Sequence, residues 1–369
     1  MKNVSTSESR KRKLSVSDGS QQSKATASTE FGILVELCER ESIEIIQRFV
    51  RAGADVNAPD DIGLTPLHVA CTYKRLDVVK FLLESGADVR QVDNEGKTAL
   101  ELVSSIYRYT VEYPPEIIMS LLEHDSTPNT ITDIILTSAA SCGHIEIAKL
   151  LLDRRAPGSD TKPIWVALRN ACRQSRVNFA KLLLQHGATF AEADADLSKP
   201  SCLYMAVDSN APNCLEMVTL IVDNGADTYG EPSKLTSAFW RACDTGKGKV
   251  EVIKLLLARG ADINTTGNRG LTLLLRSCRK GRIDIFKLLL ANGADPNIAF
   301  DNGTTPLMLA ALYMKYNRIK PLLEAGADVT AVDDEGKSVL DYLEGKAELL
   351  ELCKLHVEKN RPSLKPLLK

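Results

Sequence analysis

A Gly-Ala-Asp tripeptide returns along this chain at Gly53, Gly86, Gly225, Gly260, Gly293 and Gly326, with the variant Gly187-Ala188-Thr189. Three of the intervals agree: 86 − 53, 293 − 260 and 326 − 293 each come to 33 residues. A period of that length is one small supersecondary unit, which cannot bury an apolar face alone and must stack on its neighbours. The 369 residues are therefore expected to build an array that grows by adding copies, not one large core. From Gly86 to Gly187 the gap is 187 − 86 = 101 residues, so two degenerate copies are expected inside it. Leu150 to Ala156 stands where Leu-Leu-Leu-x-x-Gly-Ala would fall, and Ile117 to Glu123 supplies the apolar helix of the other.

Each copy reads as a helix pair. Thr65-Pro66-Leu67-His68-Val69-Ala70 opens with a capping hydroxyl and a proline at the first helical position, where its missing N–H costs nothing. Leu76 to Leu83 then places apolar residues at three-and-four spacing, with Lys80 facing outward. Gly86 follows the last turn, where glycine takes the left-handed conformation without a steric penalty, and Asp88 can bond local amides in the turn beyond.

These residues closely resemble the ankyrin-repeat family, whose consensus runs Asp-x-x-Gly-x-Thr-Pro-Leu-His-x-Ala-Ala, a Gly-His turn, then Leu-Leu-Leu-x-x-Gly-Ala-Asp. The resemblance covers residues 30–355 and is best in Asp60 to Asn94, Gly143 to Leu152, Leu255 to Asn264 and Thr304 to Asp328. It implies an all-α solenoid of about ten helix-turn-helix units, with Phe31 to Asn57 and Asp333 to Leu355 as atypical capping units. The consensus is lost at Ser201-Cys202-Leu203-Tyr204, Ser237-Ala238-Phe239-Trp240 and Thr272-Leu273-Leu274-Leu275. Extra residues enter near Tyr107 to Pro114, Glu192 to Pro200, Asn210 to Asn213 and Gly246 to Lys249. Residues 356–369 are expected to form a short C-terminal tail.

A net charge of −2 and a pI near 6.3 supply no overall field for a phosphate backbone, and only 5% of residues are aromatic, so nucleic acid is not the expected partner. The longest apolar stretches run to a few residues, far short of a membrane span. Nine cysteines without paired spacing, and no apolar leader, point to a reduced, intracellular setting in cytoplasm, nucleus or both. Cys71, Cys172, Cys243 and Cys278 occupy one equivalent place in several repeats, which invites a metal reading. Consecutive repeats stack about 10 Å apart, whereas zinc needs four ligands within about 2.3 Å, so these read as small packing residues and no metal or cofactor is expected. Cys202 and Cys214 lack a histidine at zinc-like spacing. His68 and His144 sit at consensus positions that tie a turn or a neighbouring helix, and no nucleophile and base form a catalytic signature. Gly246-Lys247-Gly248-Lys249 lacks the frame of a phosphate loop and reads as a widened basic turn.

The segment 1–29 is rich in Ser, Thr, Gln and Lys and is expected to be a disordered basic tail. Within it, Arg10-Lys11-Arg12-Lys13 is a run of the kind read by nuclear import receptors, although such runs also serve as solubilising patches. Ser15 and Ser17 follow at a spacing that basophilic kinases accept, where phosphate would offset the adjacent charge.

The resemblance implies that a protein partner is bound along a concave surface of first helices and projecting loops. Asp61, Tyr73, Asn94, Tyr204, Trp240, Arg269, Asn302 and Tyr313 are the candidate contact residues. The loops through Asp60-Asp61, Asp93-Asn94-Glu95, Asp194 to Asp196, Asp301-Asn302 and Asp333-Asp334-Glu335 are mostly acidic, which suits a basic or mixed-charge partner, although Asp there also serves the turn itself. The expected function is an interaction scaffold or adaptor acting as a monomer, with a nuclear co-regulator among the forms it could take. Leu256 with Asp262-Ile263-Asn264 resembles the segment modified by an asparaginyl hydroxylase that acts on ankyrin repeats, making Asn264 the modified residue. Leu349, Cys353 and Val357 resemble the first half of the box by which some ankyrin-repeat adaptors recruit a ubiquitin ligase, the basis of an alternative function as a substrate-recognition subunit of a cullin-type ligase. Glu348 and the few residues after Pro362 depart from that box, and a capping helix followed by a short tail is the favoured reading there.

Overall fold

A hydroxyl oxygen starts several of the first helices. Thr65 Oγ1 accepts the His68 N–H at 3.4 Å with Pro66 at the first helical position. The same cap recurs at Thr305 with Met308 (3.3 Å), Ser201 with Tyr204 (3.2 Å) and Thr272 with Leu275 (3.1 Å). Where the consensus proline and histidine are gone, at Ser201 and Thr272, the capping oxygen survives, so the helix still begins in register. Several second helices share one ending. The N–H of Ala87 reaches Leu82 O at 2.9 Å and that of Gly86 reaches Leu83 O at 3.1 Å, with Gly86 at φ +89°. Equivalent long bonds close at Ala188, Ala261, Ala294 and Ala327, each about one turn beyond the last leucines.

The computed structural model describes residues 33–107, 113–125, 130–155, 160–196, 198–225, 233–245, 249–279 and 282–360. Ten helix pairs are present among them. They are α1 (Ile33–Arg40) with α2 (Ile43–Arg51), α3 (Pro66–Thr72) with α4 (Leu76–Glu84), α5 (Ala99–Tyr107) with α6 (Pro115–His124), and α7 (Thr130–Cys142) with α8 (Ile145–Asp153). Then follow α9 (Lys162–Arg173) with α10 (Val177–Gln185), α12 (Cys202–Asp208) with α13 (Cys214–Asp223), and α14 (Ser233–Thr245) with α15 (Val250–Ala258). The last are α16 (Leu273–Arg279) with α17 (Ile283–Ala291), α18 (Pro306–Leu312) with α19 (Ile319–Glu324), and α20 (Val339–Tyr342) with α21 (Ala347–Asn360). A single turn, α11 (Phe190–Ala193), sits between the fifth and sixth pairs. The described residues contain no β-strand beyond two isolated bridges, Val92 with Thr98 and Val332 with Ser338. None of their helices is long and apolar enough to cross a membrane.

The chain divides into two compact units, residues 1–138 with 146–157 and residues 139–145 with 158–369. In the first, α1 packs on α3 and α3 on α5, while α2 packs on α4 and α4 on α6. In the second, α9, α12 and α14 stack in order, as do α16, α18 and α20, and α10, α13 and α15 line up behind. Each interface is filled by the small and branched residues of the repeat: Ala70, Cys71, Val78, Val79 and Leu82 are fully excluded from solvent, as are Ala206, Met217, Val218 and Ile221. Arginines close helix ends of the preceding repeat, Arg75 that of the first helix α1 and Arg154 that of the second helix α6. Arg75 Nη1 donates to the carbonyls of Cys38 (3.4 Å) and Glu41 (2.5 Å), and Arg154 Nη1 to those of Leu122 and Asp125. Carbonyls left over at a helix end are thereby satisfied.

Of the extra residues near Tyr107 to Pro114, Tyr113 is buried and donates its hydroxyl to Cys71 O at 2.6 Å, capping α3 from above. At the other end α21 runs through Asn360, five residues past the expected boundary at 355 (360 − 355), because Cys353 and Val357 are both buried and α21 packs on α19. The first residues of the expected C-terminal tail are thus part of the last helix.

Candidate functional site

The loops joining successive repeats are built on their own aspartates. Asp93 Oδ1 accepts the backbone N–H groups of Glu95 and Lys97, both at 2.9 Å, and Asp333 Oδ1 does the same for Glu335 (3.0 Å) and Lys337 (2.9 Å). Asp60 Oδ1 holds Ile62 (3.0 Å) and Leu64 (2.9 Å). The Tyr342 hydroxyl and these backbone donors hold the Asp333 carboxyl below the usual carboxylate range. Asp93, Asp194 and Asp333 are buried, so in these loops the aspartates serve the turn and only part of the acidic charge is exposed.

Neighbouring loops are also tied to one another. Asn94 donates its backbone N–H to Ile62 O and its Nδ2 to Asp61 O, both at 3.2 Å. Asp301 donates to Arg269 O (3.2 Å) and Asp334 to Asn302 O (3.1 Å). Asp61, Asn94, Arg269 and Asn302 therefore hold the loop ladder through main-chain groups while their residues stay exposed. Tyr73 and Tyr313 occupy equivalent C-caps, of α3 and α18, and are 50% and 42% exposed, whereas Tyr204 and Trp240 are half-buried and Phe239 is fully buried. Asp61, Tyr73 and Asn94 belong to the first unit and Tyr204, Trp240, Arg269, Asn302 and Tyr313 to the second.

A polar constellation lies in the second unit, at the extra residues near Glu192 to Pro200. Thr189 replaces the usual aspartate and caps α11, accepting the Glu192 N–H at 3.2 Å. The chain then swings out and returns at Ser201, the cap of α12. Arg169 of α9 pins the excursion at both ends, donating from Nη1 to Ala193 O (2.7 Å) and from Nη2 to Pro200 O (2.8 Å). Its Nη1 also lies 3.4 Å from Asp194 Oδ1, which accepts the Cys202 N–H at 2.8 Å, and Lys234 Nζ of α14 stands 3.7 Å from Asp194 Oδ2. Two cations and a backbone donor make burial of that carboxylate tolerable.

Two adjoining depressions of 350 and 540 Å³ open beside this cluster and share Lys199, Pro200 and Tyr204. The first reaches Asp194 and Lys234, the second Arg169, Arg173 and Asp208. Hydrogen bonds from Lys199 and Ser198 hold the Asp196 carboxyl down to about 2. Beyond them, ion pairs link consecutive first helices: Arg241 Nε to Asp208 at 2.6 Å, and Arg276 to Asp244 through two bonds of 2.7 and 2.9 Å. Arg241 also lies 5.9 Å from the Tyr204 ring centre. Apart from Tyr204, none of these side chains was among the candidates. The excess length at 192–200 was the available signal, but the partners come from three helices.

The remaining motifs fall to packing. Burial raises the thiols of Cys71 and Cys278, the latter to about 12, which keeps them protonated and poorly nucleophilic. Hydrogen bonding with Cys172, together with burial, raises Cys202 as well. Among the described residues no group of three or more His, Cys, Asp or Glu could hold a metal ion. His68 Nδ1 accepts the Thr65 N–H (3.2 Å) and Nε2 meets Lys97 O, so it joins two repeats as expected. Of the basic turn, Gly246 to Gly248 lie outside the described residues, and Lys249 points inward to Ser209 O (2.5 Å) and Cys214 Sγ (3.0 Å). Arg10 to Lys13, Ser15 and Ser17 also lie outside them.

Models of ankyrin repeats match residues 137–230 and 239–333 in the three-copy form, and 42–103 in the many-copy form. This chain belongs to the ankyrin-repeat family. The matches pass over 104–136, the region of one degenerate copy, yet α6 and the first part of α7 stand there as the period requires. Ankyrin repeats are protein-interaction modules and typically carry no catalytic activity of their own.

Proposed function

We propose that this ankyrin-repeat chain is a scaffold or adaptor that holds an extended protein segment along the first helices and loops of its second unit. The observation that carries this reading is the depression shared by Lys199, Pro200 and Tyr204, where Lys199 and Pro200 are exposed and Tyr204 is half-buried. Affinity purification and proximity labelling in cells, comparing the full chain with one lacking 1–29 and one carrying Arg173→Glu with Tyr204→Ala, test it. Partners that persist without the tail and fall away in the double variant support it; partners lost with the tail alone overturn it.

The tail supplies an address in this reading. Arg10 to Lys13 would engage an import receptor, and phosphate on Ser15 and Ser17 would weaken that contact, giving a nuclear co-regulator whose entry is controlled. A Ser15→Asp, Ser17→Asp chain that concentrates in nuclei as the wild type does counts against it. Asn264 is the residue for hydroxylation; its side-chain oxygen accepts the Asp295 N–H at 2.9 Å, and mass spectrometry of that peptide from cells decides the matter. The alternative, a cullin-type ligase receptor, draws on Leu349, Cys353 and Val357, of which Cys353 and Val357 are buried. Co-purification of elongin and cullin subunits would favour it.

A further inference from the structure

We propose that the depression where Asp194, Lys199 and Pro200 meet α9, α12 and α14 is a receptor for an acidic peptide segment. This rests on the reading of the chain as an interaction scaffold and names the class of partner.

The argument is one of unspent charge. Each carboxylate at the site is already engaged: Asp194 lies under Arg169 and Lys234, Asp196 is paired with Lys199, and Asp208 with Arg241. The cations are in excess. Arg173 is exposed and, among the described residues, uses only Nη2, on Asn170 at 3.1 Å, although a guanidinium carries about five donors in a fork that fits a carboxylate. Lys199 is 62% exposed, and its 2.7 Å pairing with the half-exposed Asp196 is screened by solvent and weak enough to yield to an incoming carboxylate. Arg241 and Arg276 lie further along the same row of first helices but are committed to Asp208 and Asp244.

Between the cations lies an apolar floor. Tyr204 and Pro200 border both depressions, and Arg241 stands over the tyrosine ring. A segment with acidic residues on either side of one apolar side chain matches this layout: the apolar group covers Tyr204 and Pro200 while carboxylates reach Arg173 and Lys199. The whole chain carries −2, so the attraction is local to this site. The chain's own N-terminal run, Arg10 to Lys13, has the wrong sign to occupy it, which leaves a partner's segment.

The test uses the full chain and a short fluorescein-labelled peptide alternating glutamate with leucine, read by polarisation, with lysine–leucine and glutamine–leucine peptides as controls. The acidic peptide is expected to bind at least about tenfold tighter than the glutamine peptide, and Arg173→Glu with Lys199→Glu to abolish that advantage and transfer it to the lysine peptide. Tyr204→Ala weakens the acidic peptide without changing the salt dependence. Unchanged circular dichroism and melting midpoints show that these exposed positions leave the fold intact. Equal binding of acidic and neutral peptides, or a charge reversal without effect, overturns the proposal; so does equal competition by a single-stranded oligonucleotide, which would make the site a general polyanion surface. If the peptide result is negative while partners in cells persist without the tail and are lost with Arg173→Glu and Tyr204→Ala, the scaffold reading stands and only the acidic partner falls.

Discussion

His68 Nε2 lies 3.0 Å from the carbonyl oxygen of Lys97, joining α3 to the loop of the following repeat. Because Nδ1 accepts the Thr65 N–H, the proton sits on Nε2 and the neutral ring satisfies both neighbours. Burial pushes the His68 pKa below its ordinary value of 6.5. The unfolded chain therefore takes up the proton more readily. The contribution is full above 6.5 and is lost as pH falls from there towards the lower folded value. Urea unfolding at about pH 7.5 and about pH 5 should show a stability loss on acidification that His68→Gln reduces. His68→Ala leaves two buried groups unpaired and should cost about 2–3 kcal/mol at neutral pH.

The turn inside a repeat can be improved. Met314 and Lys74 hold φ of 53° and 59°, the left-handed region, and Met314 is 71% exposed. Met314→Gly removes the Cβ strain at some cost in unfolded-chain entropy, and should raise stability by about 0.5–1 kcal/mol. Gly86→Ala at φ +89°, with open space around the added carbon, should lower it by about 1 kcal/mol. Paired thermal melts check the two signs.

Gly63 carries a second constraint. At φ +81° it shares Gly86's backbone strain, but an added Cβ would sit 2.6 Å from both the backbone nitrogen and Oδ1 of Asn94. Gly63→Ala must push the two loops apart and weaken the Ile62–Asn94 bond. It should cost about 1–2 kcal/mol more than Gly86→Ala, measured by the shift in urea midpoint.

Arg169 holds the 194–200 excursion by carbonyls at both ends. Arg169→Met keeps the apolar stem but leaves Asp194 with one cation fewer and two carbonyls unpaired. A destabilisation of about 2–4 kcal/mol is expected, with faster proteolytic nicking between 195 and 200. Nicking unchanged from wild type would show that the loop is held by other contacts.

Asn297 bridges two repeats, donating from Nδ2 to Gly326 O (3.1 Å) and accepting the Asp328 N–H (2.8 Å). Asn57 does the same between Gly86 and Asp88. Asn297→Asp keeps the acceptor, removes the donor and faces a carboxylate towards a carbonyl. A loss of about 1–2 kcal/mol is expected at neutral pH, recovered in part as the carboxyl is protonated.

The regular parts of the molecule were legible because they are local. Thr65 and Thr305 cap the helices they precede, Gly86 ends the one it follows, and the 33-residue return of Gly-Ala-Asp set the stacking; even Ile117 to Glu123 proved to be a helix with no consensus ends. That aspartate in these loops also serves the turn was legible, and Asp93 and Asp333 do so by accepting main-chain N–H groups two and four residues on; their burial was not, because it depends on packing and not on spacing. The depression at Lys199, Pro200 and Tyr204 was beyond reach for a different reason. It forms only when Arg169 on α9, Pro200 in the excursion and Lys234 on α14, spread over 234 − 169 = 65 residues, meet around the buried Asp194. Spacing along the chain determines which faces stack; only the packed structure determines which charges find partners on those faces and which are left for another molecule.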